Sequence, residues 1–137
     1  MHLADHRRIS AQLTFADDED TVGHLLTAFR DLRANLGSLT GVPEVKVPSP
    51  AELRLELVVL PRDAFFGPAE QVPADEAAGR VSAEMITPYP PGIPAVLPGE
   101  RITAPVMDYL RTGVDAGMVI PDAADSSVKS VRVFIER

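Results

Sequence analysis

Four carboxylic acids in the 137-residue sequence are candidates for acid–base chemistry: Glu84, Glu100, Asp108 and Asp115. General acid–base catalysis requires such groups to lie close to one substrate. Nothing in their spacing brings any two of them together. The sequence therefore favours solvated surface charges over a catalytic pair at these positions.

Histidine is the other residue type that could do chemistry here. His2 and His6 lie four residues apart, so in a helix they would share one face, as a pair of metal ligands would. A zinc-type site needs at least a third protein ligand, and the sequence shows none near them. His24 falls on the exposed side of a predicted helix. We therefore predict no metal site.

Composition excludes several classes of protein. The net charge is −7 with only two lysines, Lys46 and Lys129, which argues against binding to nucleic acid because phosphate contacts need clustered basic side chains. No apolar run approaches the roughly 20 residues of a membrane-spanning helix, so the sequence predicts no membrane span. The chain has no cysteine, which excludes disulfides and thiol nucleophiles and is typical of a cytoplasmic protein.

The pattern of apolar residues predicts an α+β fold, with small mixed or antiparallel sheets and helices packed on one face. Alternation over residues 9–15 predicts a half-buried strand. Asp18 or Asp20 then caps a helix whose apolar stripe runs to Leu36 and which ends at Gly37. One strand is too little sheet to cover that stripe, so the helix needs a further partner.

A second apolar part follows the extended, proline-rich residues 43–51. We predict a turn at 61–68 that carries two adjacent phenylalanines, and a short helix at 72–79. The other predicted elements are strands at 53–59, 80–86 and 127–136 and a helix from Thr103 to about Gly117 with a buried stripe of Val106, Met107, Leu110 and Val114.

The segment from Thr87 to Arg101, TPYPPGIPAVLPGER, contains five prolines and two glycines. Proline fixes its own φ and favours extended conformations before it, which predicts a rigid polyproline-like arm with a bend at Gly92. Such an arm could place Tyr89 and Ile93 on a surface or along a pocket rim. The structural alternative is a stiff crossover between one strand and the next element.

Residues 80–103, RVSAEMITPYPPGIPAVLPGERIT, and the preceding LPRDAFFGPAEQVP resemble the C-terminal domain of the bacterial ornithine/lysine/arginine decarboxylases. This is a pyridoxal-phosphate family with an aspartate-aminotransferase-type fold. The likeness spans about 60–137, and residues 1–42 are similar to the last strand and helix of the family's small domain. The resemblance implies three parts: the end of the small domain (1–42), a linker (43–51) and the C-terminal domain (52–137).

The resemblance also implies what is missing. The family carries its Schiff-base lysine after a histidine, in a Ser-x-His-Lys type motif on the large domain, and neither Lys46 nor Lys129 has that context. The sequence has no glycine-rich phosphate loop. The chain is therefore expected to hold no cofactor, to be inactive alone, and to serve as an accessory and assembly domain of a lyase that makes polyamines. The alternative is a free-standing binding or regulatory module derived from that domain.

In the whole enzyme this domain resembles a flap beside the active-site entrance of an oligomer, with the large pyridoxal-phosphate domain as its partner. The resemblance implies a place in the substrate channel or in an interface for six residues: Tyr89, Pro91, Gly92, Glu100, Arg62 and Phe65. An acidic channel would suit a substrate with a distal amine or guanidinium. The local alternatives are that Tyr89 packs, that Glu100 caps or pairs nearby, that Arg62 pairs with Asp63, and that Phe65 and Phe66 are core or interface anchors.

Overall fold

A computed structural model of the protein describes residues 3–4, 8–41 and 43–136. The chain divides into two compact units, Met1–Val42 and Pro43–Arg137. Helices combine with two separate two-stranded antiparallel sheets, so the predicted α+β class is confirmed.

The first unit contains β1 (Leu3–Ala4), β2 (Ile9–Ser10) and α1 (Glu19–Ala34). Asp18 caps α1 as predicted: its carboxylate accepts from Thr21 N at 2.9 Å, while Asp18 N donates to Thr21 Oγ1 at 2.8 Å. A short 3-10 turn, Leu36–Ser38, follows the helix. None of the residues of α1 is buried within its unit, which agrees with the need for a further partner.

The strand predicted over 9–15 is wrong beyond Ser10. Thr14 and Asp17 form a turn there, with Thr14 N donating to the Asp17 carboxylate at 2.6 Å and Asp17 N to Thr14 O at 3.1 Å. This turn takes the backbone groups that a longer strand would offer to a neighbour. The alternating apolar side chains of this segment are exposed rather than half-buried.

The second unit contains α2 (Pro61–Phe66), β3 (Ala69–Pro73), a 3-10 turn (Ala74–Glu76), α3 (Ala104–Asp115) and β4 (Ser130–Phe134). β3 and β4 pair antiparallel with Val72 opposite Val131. On the other side of β4, Ser82 bridges Val133, and further bridges join Val81 to Arg101 and Leu57 to Glu100.

The core of this unit lies between the sheet region and α3. Val106, Met107 and Leu110 form the buried stripe of α3, as predicted, and Val114 packs partly buried against it. The other large buried side chains of the core are Val72, Ile86, Val96, Ile102, Ile120, Val128, Val131 and Val133. α3 also begins at the predicted place, although the Thr103 side chain makes no capping hydrogen bond.

Several predicted elements of this unit are wrong in type or extent. Residues 53–59 form no strand beyond the single bridge at Leu57. Residues 80–86 form only isolated bridges, because Ser82 Oγ donates to Glu84 O at 2.7 Å and bends the chain there. Residues 61–66 are helical rather than a turn, since Pro61 occupies the first helical turn. The predicted helix at 72–79 is a single 3-10 turn.

Candidate functional site: the proline loop

We define the proline loop as residues 87–98. Its base is closed by three backbone hydrogen bonds: Ile86 N donates to Val96 O at 3.0 Å, and Ile86 O accepts from Ala95 N at 2.9 Å and from Val96 N at 3.4 Å. Thr87 N donates to the carboxylate of Asp122 at 2.9 Å. Ile86, Val96 and Ala95 are buried, so the loop is anchored in the core at both ends.

The loop bends at Gly92, as predicted. Gly92 has a φ of +85°, and its N donates to Pro88 O at 3.0 Å. Tyr89 exchanges two backbone hydrogen bonds with Val119, at 2.8 and 3.1 Å. The peptide bonds Tyr89–Pro90 and Pro90–Pro91 are both cis. Because the hydrogen bonds of Gly92 and Tyr89 turn the segment back and tether it, the predicted polyproline-like extended shape is wrong, and the segment is a closed loop.

The tip of the proline loop is exposed and largely apolar. Ile93 is 67% exposed and Tyr89 is 45% exposed, and Pro91 and Gly92 beside them are exposed too. The Tyr89 hydroxyl is the polar side-chain group among these four residues. An apolar tip on a fixed base loses little conformational entropy when it contacts a second surface.

Glu100 lies at the base of the proline loop, where its carboxylate accepts from Leu97 N at 2.8 Å. Glu100 N in turn donates to Leu97 O at 3.2 Å, and its own carbonyl accepts from Ser82 N at 2.8 Å. This is the local capping contact that the structural alternative predicted. The side chain remains partly exposed, so its charge also reaches the surface.

Phe65 and Phe66 lie on α2, with their rings edge to face and 5.0 Å between centroids. The guanidinium of Arg132 lies 5.7 Å from the Phe65 centroid, and it donates to Phe65 O at 3.1 Å and to Ala83 O at 2.6 Å. Phe66 is 79% exposed and Phe65 is also exposed, so neither is a core residue of this unit. A fixed helix thus presents an uncovered aromatic surface.

Arg62 lies beside that surface and lines a shallow cleft of about 420 Å³ with Asp63 and Phe66. The ion pairs found in the described part of the chain do not include the predicted Arg62–Asp63 pair.

The predicted site residues therefore form two groups. Tyr89, Pro91 and Gly92 share the tip of the proline loop. Arg62 and Phe65 lie on α2. Glu100, at the base of the proline loop, lies next to Gly99, whose carbonyl accepts from Val58 N and Val59 N at 2.9 and 3.2 Å just before α2 begins.

Sequence reasoning missed the role of Glu84. Its side chain is only 4% exposed, and its two carboxylate oxygens accept from Ala124 N and Arg132 N, each at 2.6 Å. The prediction of a solvated charge is therefore wrong for this residue. The available signal was an acid in the middle of an apolar strand-like run. The sequence also did not single out Arg132, whose guanidinium donates to Phe65 O on α2. It alternates with the buried Val131 and Val133, which is the pattern of a surface residue on a strand.

The described residues do not fit a pyridoxal-phosphate site. Lys46 Nζ is paired with the Asp108 carboxylate at 2.9 Å. Lys129 lines an open cleft with charged neighbours and no aromatic ring. No three His, Asp or Glu side chains within residues 3–4, 8–41 and 43–136 lie close enough to hold a metal ion, and His2 and His6 fall outside those ranges. No helix in the same ranges is long and apolar enough to cross a membrane.

Comparison with known proteins gives a consistent result. Residues 53–122 match the family described as Orn/Lys/Arg decarboxylase, C-terminal domain. An arginine decarboxylase of Bacillus anthracis is 35% identical over 139 residues, which cover 99% of this chain and 27% of the relative. The inducible lysine decarboxylase of Escherichia coli K12 is 43% identical over 72 residues, which cover 47% of this chain and 10% of the relative. The solved constitutive lysine decarboxylase of E. coli is 28% identical, covering 84% of this chain and 17% of that one, with a TM-score of 0.47.

The matched region and the α+β unit that contains it define a decarboxylase C-terminal domain. The chain belongs to the Orn/Lys/Arg decarboxylase family. It spans about a quarter of the length of the arginine decarboxylases it matches.

Proposed function

We propose that this chain is the C-terminal accessory and assembly domain of a pyridoxal-phosphate-dependent decarboxylase that acts on ornithine, lysine or arginine. The observation that supports this most directly is the proline loop, an exposed apolar tip on an anchored base inside the region that matches the family. Pyridoxal phosphate acts as the electron sink in such enzymes. The residues that bind it would belong to a large domain outside this chain, so the chain alone is inactive.

In this proposal the proline loop forms part of the rim of the active-site entrance. Tyr89 and Ile93 contact the large domain or the substrate and help to exclude water. Glu100 adds negative charge near the entrance, which attracts a substrate whose side chain ends in an ammonium or guanidinium group. A cytoplasmic location stays a prediction that rests on the lack of cysteine.

The exposed aromatic surface of α2 is the proposed docking site for the large domain. The matched arginine decarboxylases are about four times as long as this chain. In a polypeptide of that length, the part outside this chain would be large enough to cover the aromatic surface of α2. Phe66 is the natural anchor, because large aromatic side chains on fixed elements dominate interface energetics. Homo-oligomer formation would follow from assembly of the complete enzyme.

Kinetics of the full-length enzyme test the channel role of Glu100. We expect Glu100→Gln to lower kcat/KM for basic amino acids about threefold to tenfold, since one partly screened charge near a cationic substrate contributes on the order of 1 kcal/mol. The amide oxygen of glutamine can still accept from Leu97 N, so the local turn is kept.

The matched control is Glu76→Gln, which removes an exposed charge from the 3-10 turn. If the kcat/KM of Glu100→Gln is as close to that of the unaltered enzyme as the kcat/KM of Glu76→Gln is, the channel role is rejected. The alternative of a free-standing module is decided separately: an upstream reading frame that contains the Ser-x-His-Lys motif contradicts it.

A further inference from the structure

A second concave site lies outside the proline loop and α2. It is a cleft of about 390 Å³, which we call the α3 cleft, and it opens between α3, the 3-10 turn and residues 127–129. The side chains that matter for its chemistry are Asp75, Arg111, Asp115, Ser127 and Lys129. Its volume falls in the range of small-molecule sites.

One wall of the α3 cleft is held by the carboxylate of Asp125. It accepts from Ser127 N at 3.0 Å and Ser127 Oγ at 2.6 Å, and from Ser130 N and Ser130 Oγ, both at 3.0 Å. These donors stabilise the charged form and lower the pKa of Asp125 to about 2. The hydrogen bonds that hold this wall are therefore made by an ionised carboxylate.

Val128 on the same wall has an unusual backbone conformation. Its φ is +52°, which is uncommon for a β-branched residue, yet its side chain is buried in the core. The conformation is held by Val128 N donating to Asp125 O and by Ala74 N donating to Lys129 O, both at 2.9 Å. This arrangement places Ser127 and Lys129 beside the cleft. Strained backbone of this kind is typical of functional sites.

The α3 cleft combines two positive and two negative side chains. Arg111 and Asp115 lie one turn apart on α3, and Asp75 and Lys129 come from the other two segments. None of the four takes part in the ion pairs found across the described ranges. A simple anion or a simple cation would meet repulsion as well as attraction here. A small molecule that carries both charges would satisfy all four side chains.

We propose that the α3 cleft binds a free α-amino acid as a zwitterion. Arg111 and Lys129 bind its carboxylate, and Asp75 and Asp115 bind its ammonium group. Arginine is suited to this because its guanidinium can hold a carboxylate through two parallel hydrogen bonds. The cleft is open to water, so the affinity is on the order of millimolar. This inference does not depend on the proposed function of the proline loop.

Amide NMR of the ¹⁵N-labelled 137-residue chain tests the proposal with three matched probes: L-alanine, N-acetyl-L-alanine and L-alaninamide. Alanine carries both charges, whereas each of the other two lacks one. We expect alanine to cause saturable shifts of the Asp75, Ser127 and Lys129 amides. Each blocked probe should bind at least about tenfold more weakly, which corresponds to the loss of about 1.4 kcal/mol of interaction.

Arg111→Gln should weaken alanine binding by at least about tenfold, while the control Arg54→Gln, at another exposed arginine, should leave it unchanged. Arg111 is exposed, so the variant is expected to fold, and the dispersion of its amide spectrum checks this. The proposal is overturned if alanine gives no saturable shift up to about 50 mM, well above a millimolar Kd. It is equally overturned if N-acetyl-L-alanine or L-alaninamide binds as tightly as alanine.

Discussion

At the residue scale, the carboxylate of Glu84 joins three segments of the second unit. It connects the region around Ser82 to Ala124 on one side and to Arg132 in β4 on the other. A buried charge is tolerated only when hydrogen bonds replace its lost hydration, and here two backbone N–H groups do so. Glu84 is therefore a structural residue rather than a solvated one.

Glu84→Gln is expected to lower the free energy of unfolding by about 1–3 kcal/mol. A glutamine side chain has one acceptor oxygen, so its NH₂ group would face one of the two backbone donors. Urea denaturation measures the effect, with the exposed Glu76→Gln as control. A loss no larger than that of Glu76→Gln would show that the two short hydrogen bonds contribute little.

The sequence could not predict this role, because the partners of Glu84 lie 40 and 48 residues away. No periodic pattern reports such pairings. Exposure at the tip of the proline loop was predictable, since prolines lack the donors that a central sheet needs. The cap of Glu100 on Leu97 N is observed, and the contribution of Glu100 to a substrate channel is proposed.

At the element scale, the two long helices and the last strand were predictable, since the strand predicted over 127–136 is β4, whereas the other strands were predicted wrongly or missed. α1 and α3 each carry an apolar stripe at helical spacing and a recognisable start, with Asp18 before α1 and Pro105 in the first turn of α3. The alternation at 53–59 was misleading because a strand also needs a partner. That segment instead pairs at single points with Gly99, Glu100 and Arg101.

Gly99 fixes the junction between the proline loop and α2. Its φ is +87°, and a Cβ added to it would overlap the carbonyl oxygen of Val59. Gly99→Ala is therefore expected to break the hydrogen bonds from Val58 and Val59 and to lower the free energy of unfolding by more than about 2 kcal/mol. Denaturant titration followed by circular dichroism provides the measurement.

Gly79→Ala is the matched control for that experiment. Gly79 has nearly the same φ, +88°, but an added Cβ would meet nothing within 4 Å. Only the conformational cost, about 1–2 kcal/mol, should apply there. Equal midpoints for the two variants would mean that close packing against Val59 does not matter.

At the scale of the whole molecule, the chain exposes apolar surface that the proposed large domain would cover. Phe66, Leu60 and Ile93 are each at least 65% exposed. We therefore expect the isolated chain to form dimers or larger species. Phe66→Ser should shift it towards monomer more than the control Val47→Ser does, because the Phe66 side chain presents more apolar area. Light scattering during size-exclusion chromatography measures this. A clean monomer of the unaltered chain at high concentration would count against the proposed docking surface.

The central claim is that this domain serves a pyridoxal-phosphate decarboxylase whose reactive lysine lies elsewhere. The most direct test measures cofactor absorbance and release of carbon dioxide from ornithine, lysine or arginine, first with the purified chain and then with the chain mixed with its large domain. We predict neither signal from the chain alone and both signals from the mixture, with more activity than the large domain shows by itself. Covalent attachment of pyridoxal phosphate to Lys46 or Lys129, or a large domain equally active without this chain, would contradict the claim.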